Sequence, residues 1–210
     1  MREDKKKKWE NFWYYHKVHV LLAAAALLVV CYFAFADRLT ERPDYSVLYV
    51  GMYEPDQAVL NAAGESLAAL GTDLNGDGKV VVSLHRCIVD LEAVDQGNSG
   101  NPQRDQANLA ALEGDLGMCQ SGIVLTDEPL ALQNHSMLMQ YLDGSCPAED
   151  VADIEHMFYE FSDIFGSLPG GETLYIGMRR WWTKEQEQEL SADFALWEKV
   201  KDYISKQDRQ

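Results

Sequence analysis

Basic side chains are scarce over most of this chain. The 210 residues hold 18 Lys or Arg against 34 Asp or Glu, and from Asp37 onward the count is 12 against 31. An acidic body of this kind repels phosphate backbones and presents no basic stripe on which counterion release could build affinity, which excludes nucleic acid as a partner. Cysteine is also sparse, four residues without a C-x-x-C spacing, too few to announce a disulfide framework. The sequence contains no G-x-S-x-G elbow, no phosphate-binding glycine loop ending in Lys-Ser/Thr, no G-x-G-x-x-G and no H-E-x-x-H. Hydrolase and nucleotide-binding mechanisms therefore have no motif to rest on. Internal repeats and low-complexity tracts are absent as well, and a composition of 47% hydrophobic and 25% charged residues excludes a disordered or fibrous chain.

What the sequence does have is a sharp division of charge. The first 19 residues carry six Lys/Arg and three acids, a +3 segment, whereas residues 37–210 sum to −19. Between them Val20–Ala36 (VLLAAAALLVVCYFAFA) has no charged side chain. At about 1.5 Å per residue it covers roughly 25 Å, and its aromatic flanks make up the difference to a hydrocarbon core of about 30 Å. Trp9, Phe12, Trp13, Tyr14 and Tyr15 form a belt on one side, Tyr32 and Phe33 a smaller one on the other. Residues 1–19 then read as a basic, aromatic cytoplasmic tail held inside by Lys5–Lys8 and Lys17, residues 20–36 as a single transmembrane helix in the cell membrane, and the rest as extracytoplasmic. A signal peptide cleaved after Ala36 is the competing reading, because Ala34-Phe35-Ala36 fits the small-x-small rule. His16 and His19 lie one helical turn apart among these interfacial residues.

Asp37–Asp44 (DRLTERPD) reads as a short stalk, and residues 45–210 as one domain. Within it, apolar runs alternate with helical patterns. Strands are expected over Tyr45–Gly51, Lys79 to about Leu91, Gly122–Leu125 and Thr173–Gly177. Helices are expected from Glu54 to about Leu70, Asp105–Leu116, from about Asp127, over Ala148–Phe165 and from Lys184 to about Ser205. This order predicts an α/β class protein, a transmembrane helix followed by one three-layer α/β domain with a largely parallel sheet.

Three places offer chemistry. Asp73-Leu74-Asn75-Gly76-Asp77-Gly78-Lys79 has the D-x-N-x-D-G form of a calcium loop, with Asp73, Asn75 and Asp77 as the oxygen donors. The twelfth loop position is Leu84 rather than Glu and VVVSL follows instead of a helix, so an EF-hand is rejected. A partly hydrated calcium turn and an Asx turn capping its own backbone remain as alternatives. His156 and Glu160 form an i, i+4 pair if Ala148–Phe165 is helical, a potential holder of a catalytic metal. Arg179, Arg180, Trp181 and Trp182 follow a predicted strand, where paired Arg and Trp side chains can clamp an anion or stack on a ring. Cys87 with Cys119 is the pair to test for a disulfide, the alternative being free thiols.

The order VLYVG, EPDQAVLNAAGESLAALG, VVVSLHRCIV, NLAALEGDLG, GIVLTDEP and ALQNHSMLMQYLDG, from Tyr45 to about Gly144, resembles the first lobe of extracellular solute-binding proteins of ABC importers. The N-terminal KKKKWENFWYYHKVHVLL resembles that of small single-pass proteins of anaerobic Gram-positive bacteria. Together they imply a one-lobe, membrane-tethered relative, since Ser145–Gln210 is too short to form a second lobe. The expected role is a non-catalytic binding or interaction domain, an accessory of a transport or envelope complex, with a membrane protein or a small molecule as partner. A metal-dependent envelope enzyme and a purely structural membrane protein are the contrasting readings.

Overall fold

The computed structural model describes residues 2–39, 43–136, 139–146, 153–181 and 183–207. The chain divides into two compact units, Met1–Arg42 and Pro43–Gln210.

The first unit is α1 (Arg2–Leu39), 38 residues of uninterrupted helix. Neither glycine nor proline occurs before Pro43, so nothing in the segment breaks the i to i−4 ladder. Its stretch Trp13–Tyr32 is long and apolar enough to cross a membrane, and none of it is buried. Twenty residues at about 1.5 Å each span roughly 30 Å. This window starts seven residues earlier than the expected Val20, because it takes in the aromatic belt. The helix also runs on through Asp37–Leu39, which the sequence assigns to a stalk.

The second unit continues with β1 (Tyr45–Gly51), α2 (Gln57–Leu70), β2 (Val82–Ile88), α3 (Leu91–Asp95), α4 (Pro102–Gly117), β3 (Ile123–Thr126) and α5 (Pro129–Ser136). It ends with β4 (Tyr159–Glu160), α6 (Phe161–Phe165), β5 (Tyr175–Met178), α7 (Lys184–Glu189) and α8 (Ser191–Gln207). Among the described residues the five strands form one mixed sheet in the order β2-β1-β3-β5-β4. β1 pairs parallel with both β2 and β3, while β5 pairs antiparallel with β3 and with β4. The expectation of a largely parallel sheet is thereby corrected. A strand following a loop such as Gly166–Gly171 can enter the sheet from either end, and its own side chains do not record which.

Both faces of the sheet are apolar, which is why β1 reads as a continuous hydrophobic run. Val47 and Tyr49 face one cluster together with Ile123, Leu125, Ile176, Leu67 of α2, Phe161 of α6 and Trp197 of α8. Leu48 and Val50 face the other with Val124, Leu91 of α3, Leu112 of α4 and Leu132 of α5. Helix starts follow their caps. Asp56 accepts from the Ala58 N–H at 2.9 Å to open α2, Asn101 accepts from Arg104 ahead of α4, and Thr183 forms a capping box with Gln186 for α7.

Two helix expectations are overturned. Instead of one helix over Ala148–Phe165, the described part forms a 3-10 turn at Ile154–His156, strand β4 and the five-residue α6. Met157, Phe158 and Phe161 all go into the core, and Tyr159 is drawn opposite Ile176 of β5, so tertiary pairing overrides helical propensity. The last helix is divided at Leu190, which turns out of helical geometry (φ −85°, ψ 5°) to bury its side chain.

Candidate functional site

Strands β1 and β3 are neighbours, yet the chain travels from β1 outward to β2 before crossing back to β3. Their carboxyl ends therefore flank a point where the direction of winding reverses, the place where open α/β sheets leave a crevice for ligands. A crevice of about 300 Å³ lies there, lined by Tyr49, Tyr53, Glu54, Pro55, Asp127, Glu172, Thr173 and Leu174.

Its floor is a hydrogen-bonded pair, a buried tyrosine and a half-buried aspartate. The Tyr49 hydroxyl lies 3.1 Å from both Asp127 Oδ2 and the Tyr53 carbonyl oxygen, and donates to this pair of acceptors. Burial pushes the Asp127 carboxyl above the usual carboxylate range, against the pull of the Tyr49 hydroxyl. Burial likewise raises the Tyr49 phenol, and the Asp127 charge adds to it. Gly51 makes room for both: a Cβ there would run into the Tyr49 hydroxyl and Asp127 Oδ1. Tyr53 stands at the mouth, 69% exposed, and Glu54 pairs with Arg86 at 3.0 Å. A second depression of about 510 Å³ between α3 and α5 carries Glu92, Asp95 and Glu128. Glu128 is raised by burial, then by the neighbouring Asp127, Asp90 and Glu92. This end of the sheet is a field of negative charge around an aromatic wall. It suits a cationic or neutral hydrogen-bonding group and repels phosphates and carboxylates.

The residues picked out from sequence lie elsewhere. Because β5 runs antiparallel, Met178 pairs with Ile123 at the start of β3, so Arg179, Arg180 and Trp181 emerge at the amino ends of the parallel strands. Arg179 is fully buried; its Nη2 donates to the Leu116 carbonyl at 3.0 Å, while Nε and Nη1 meet no acceptor among the described residues. Burial lowers the Arg179 guanidinium from its usual value, and Cys119, Asp115 and Asp193 oppose that shift. Around it Asp115 accepts from Ser121 at 2.9 Å and Asp193 accepts from the Gly122 N–H at 2.7 Å. Trp181 packs edge-on against Phe194. Trp182 falls outside the described residues.

In the D-x-N-x-D-G segment the side chains are turned inward. Asp73 accepts from the N–H groups of Gly76 and Gly78 at 2.6 and 2.8 Å, Asn75 from Asp77 at 2.9 Å, and Asp77 from Lys79 at 2.9 Å. Asp44, assigned by sequence to the stalk, closes the turn by accepting from Leu74, Asn75 and Val81. This is the arrangement of an Asx-capped turn. No helix carries His156 and Glu160 as an i, i+4 pair. His156 bonds Asp153 at 2.8 Å, and that contact raises its imidazole above the ordinary value. Among the described residues no three His, Cys, Asp or Glu side chains converge as a metal cluster. All four cysteines are free thiols, Cys87 turned toward the Asn108 carbonyl.

No known family model, curated protein or solved structure matches this chain. The crevice is legible in the sequence in part: Glu54 comes three residues after VLYVG, and Asp127 directly follows VLT. By its composition Asp127-Glu128-Pro129 reads only as the start of a helix.

Proposed function

We propose that this chain is a single-pass membrane protein, N-terminus in the cytoplasm, whose acidic domain is a non-catalytic, extracytoplasmic binding or interaction module of a transport or envelope complex. The observation that carries the reading is Trp13–Tyr32, twenty residues of apolar helix with no residue buried. Left in water, that surface far exceeds the exposed apolar patch a soluble protein tolerates, and its length fits a bilayer. The basic residues at its N-terminal end favour the inward orientation. The domain is proposed as a three-layer α/β unit, a one-lobe relative of solute-binding proteins, that engages its ligand or partner at the crevice lined by Tyr49, Tyr53 and Asp127. A single lobe encloses nothing by itself, so a membrane protein partner supplies the opposite wall or the ligand is held shallowly.

Carbonate extraction followed by external protease on right-side-out cells or vesicles tests this. The full-length chain should stay with the membrane, and protease should remove the domain while an N-terminal tag survives. Release by carbonate, a mature chain beginning after Ala36, or a domain protected from external protease would each refute the topology.

A further inference from the structure

We propose that the N-terminal end of α1 is a collar for anionic lipid headgroups, formed by Lys5, Lys6, Lys7 and Lys8 together with Lys17; this rests on the membrane-anchor reading above. The structural basis is continuity. One helix runs from Arg2 to Leu39, so the four consecutive lysines share a single axis with the apolar stretch that starts at Trp13. Successive helix positions turn by about 100°, which distributes four adjacent residues around the whole circumference. At about 1.5 Å per residue they stand roughly 7–12 Å beyond Trp13, the depth of the headgroup layer and its first Debye length of solution.

Lys17 lies on the other side of Trp13, one turn into the apolar stretch. Its Nζ sits 5.7 Å from the centre of the Tyr14 ring, three residues nearer the N-terminus. The ammonium is thus drawn back along the helix toward the same headgroup level, as a lysine does when it snorkels from hydrocarbon. The glutamates and aspartates of this segment, Glu3, Asp4 and Glu10, leave it at +3. The anions that a basic helical segment meets at this depth are lipid phosphates rather than soluble polyanions, because the bilayer holds them there at high local density.

The test uses the full-length chain reconstituted in phosphatidylcholine vesicles, with and without phosphatidylglycerol, and spin-labelled forms of both lipids. Reconstitution places the collar in either leaflet, so topology does not affect the measurement. Motionally restricted phosphatidylglycerol should exceed phosphatidylcholine by about fivefold, the worth of one ammonium against an anionic headgroup, and the preference should weaken as salt is added. A Lys5→Gln/Lys6→Gln/Lys7→Gln/Lys8→Gln variant keeps helix propensity and should lose most of the preference. Equal restriction of the two lipids, or an unchanged preference in the variant, overturns the collar. Flotation of the protein with pure phosphatidylcholine vesicles after a carbonate wash separates the two ideas. A chain that floats without lipid preference refutes the collar alone, and one that fails to float refutes the membrane reading and the collar with it.

Discussion

Asp193→Asn should raise the stability of the acidic domain at neutral pH and flatten its dependence on pH. Asp193 is 7% exposed on α8, and its carboxylate accepts the Gly122 N–H at 2.7 Å. Burial pushes this carboxyl from its ordinary 3.8 up to about 6; the Gly122 N–H and Arg179 pull against that, and Asp115 adds to it. Since the folded value lies above the unfolded one, the folded state binds the proton first as pH falls. The resulting stabilisation is complete below about pH 4 and is lost as pH rises through about 6. The separation of the two values corresponds to about 3 kcal/mol, or roughly 6–12 °C in Tm for a domain of this size. Asparagine keeps an oxygen toward the Gly122 N–H and carries no charge, and Arg179 retains Asp115 as a carboxylate neighbour. Thermal melts of Pro43–Gln210 between pH 4 and 7.5 should therefore show the variant melting higher at the alkaline end, with the two curves converging at the acid end. Parallel curves, or a variant uniformly weaker across the range, would mean that Asp193 is ionised throughout and held by Arg179, and the reasoning from burial would fail.

Two further substitutions follow from the geometry. Gly51→Ala drives a methyl group into the Tyr49 hydroxyl and Asp127 Oδ1, and should cost about 1–3 kcal/mol in chemical denaturation through overpacking, abolishing any ligand-induced rise in Tm that the crevice gives. Asp73→Ala removes the acceptor of the Gly76 and Gly78 N–H groups and should cost about 1–2 kcal/mol. The loss should be the same with calcium or with chelator; a wild-type domain whose Tm climbs with calcium, while the variant's does not, would establish the metal turn instead.

Local signals in the sequence were faithful where local chemistry decides the outcome. Tyr45–Gly51 is a strand to the residue, because an apolar run closed by Gly51 is buried on both faces. The end of α2 at Leu70 was equally visible, since Gly71 follows it, whereas α4 opens at Pro102, three residues ahead of the expected Asp105. Legibility failed where a segment's partner is distant. Met157–Phe161 is as good a helix as a strand by its own composition, and only the free edge of β5 decides for β4. Asp44 looked like stalk because the N–H groups it satisfies lie about thirty residues away, in a turn that itself looked like a metal loop.

The position of Arg179 and Arg180 in the sheet has the same origin. The rule that ligands sit at the carboxyl ends of strands holds for strands that run together, and applying it to Arg179 and Arg180 presupposed that β5 runs with β1 and β3. Once β5 is reversed, the same rule points to the crevice at the carboxyl ends of β1 and β3, the opposite end of the sheet. Its lining there comes from the ends of β1 and β3 and from Glu172–Leu174 ahead of β5. The chemistry expected changes with it. Arginine and tryptophan after β5 suit an anion or a stacked ring, whereas the acidic groups around the Tyr49–Asp127 floor disfavour an anion. Strand direction, a property carried by no single residue, thus decides which side chains meet at the carboxyl ends of β1 and β3 and the sign of charge gathered there.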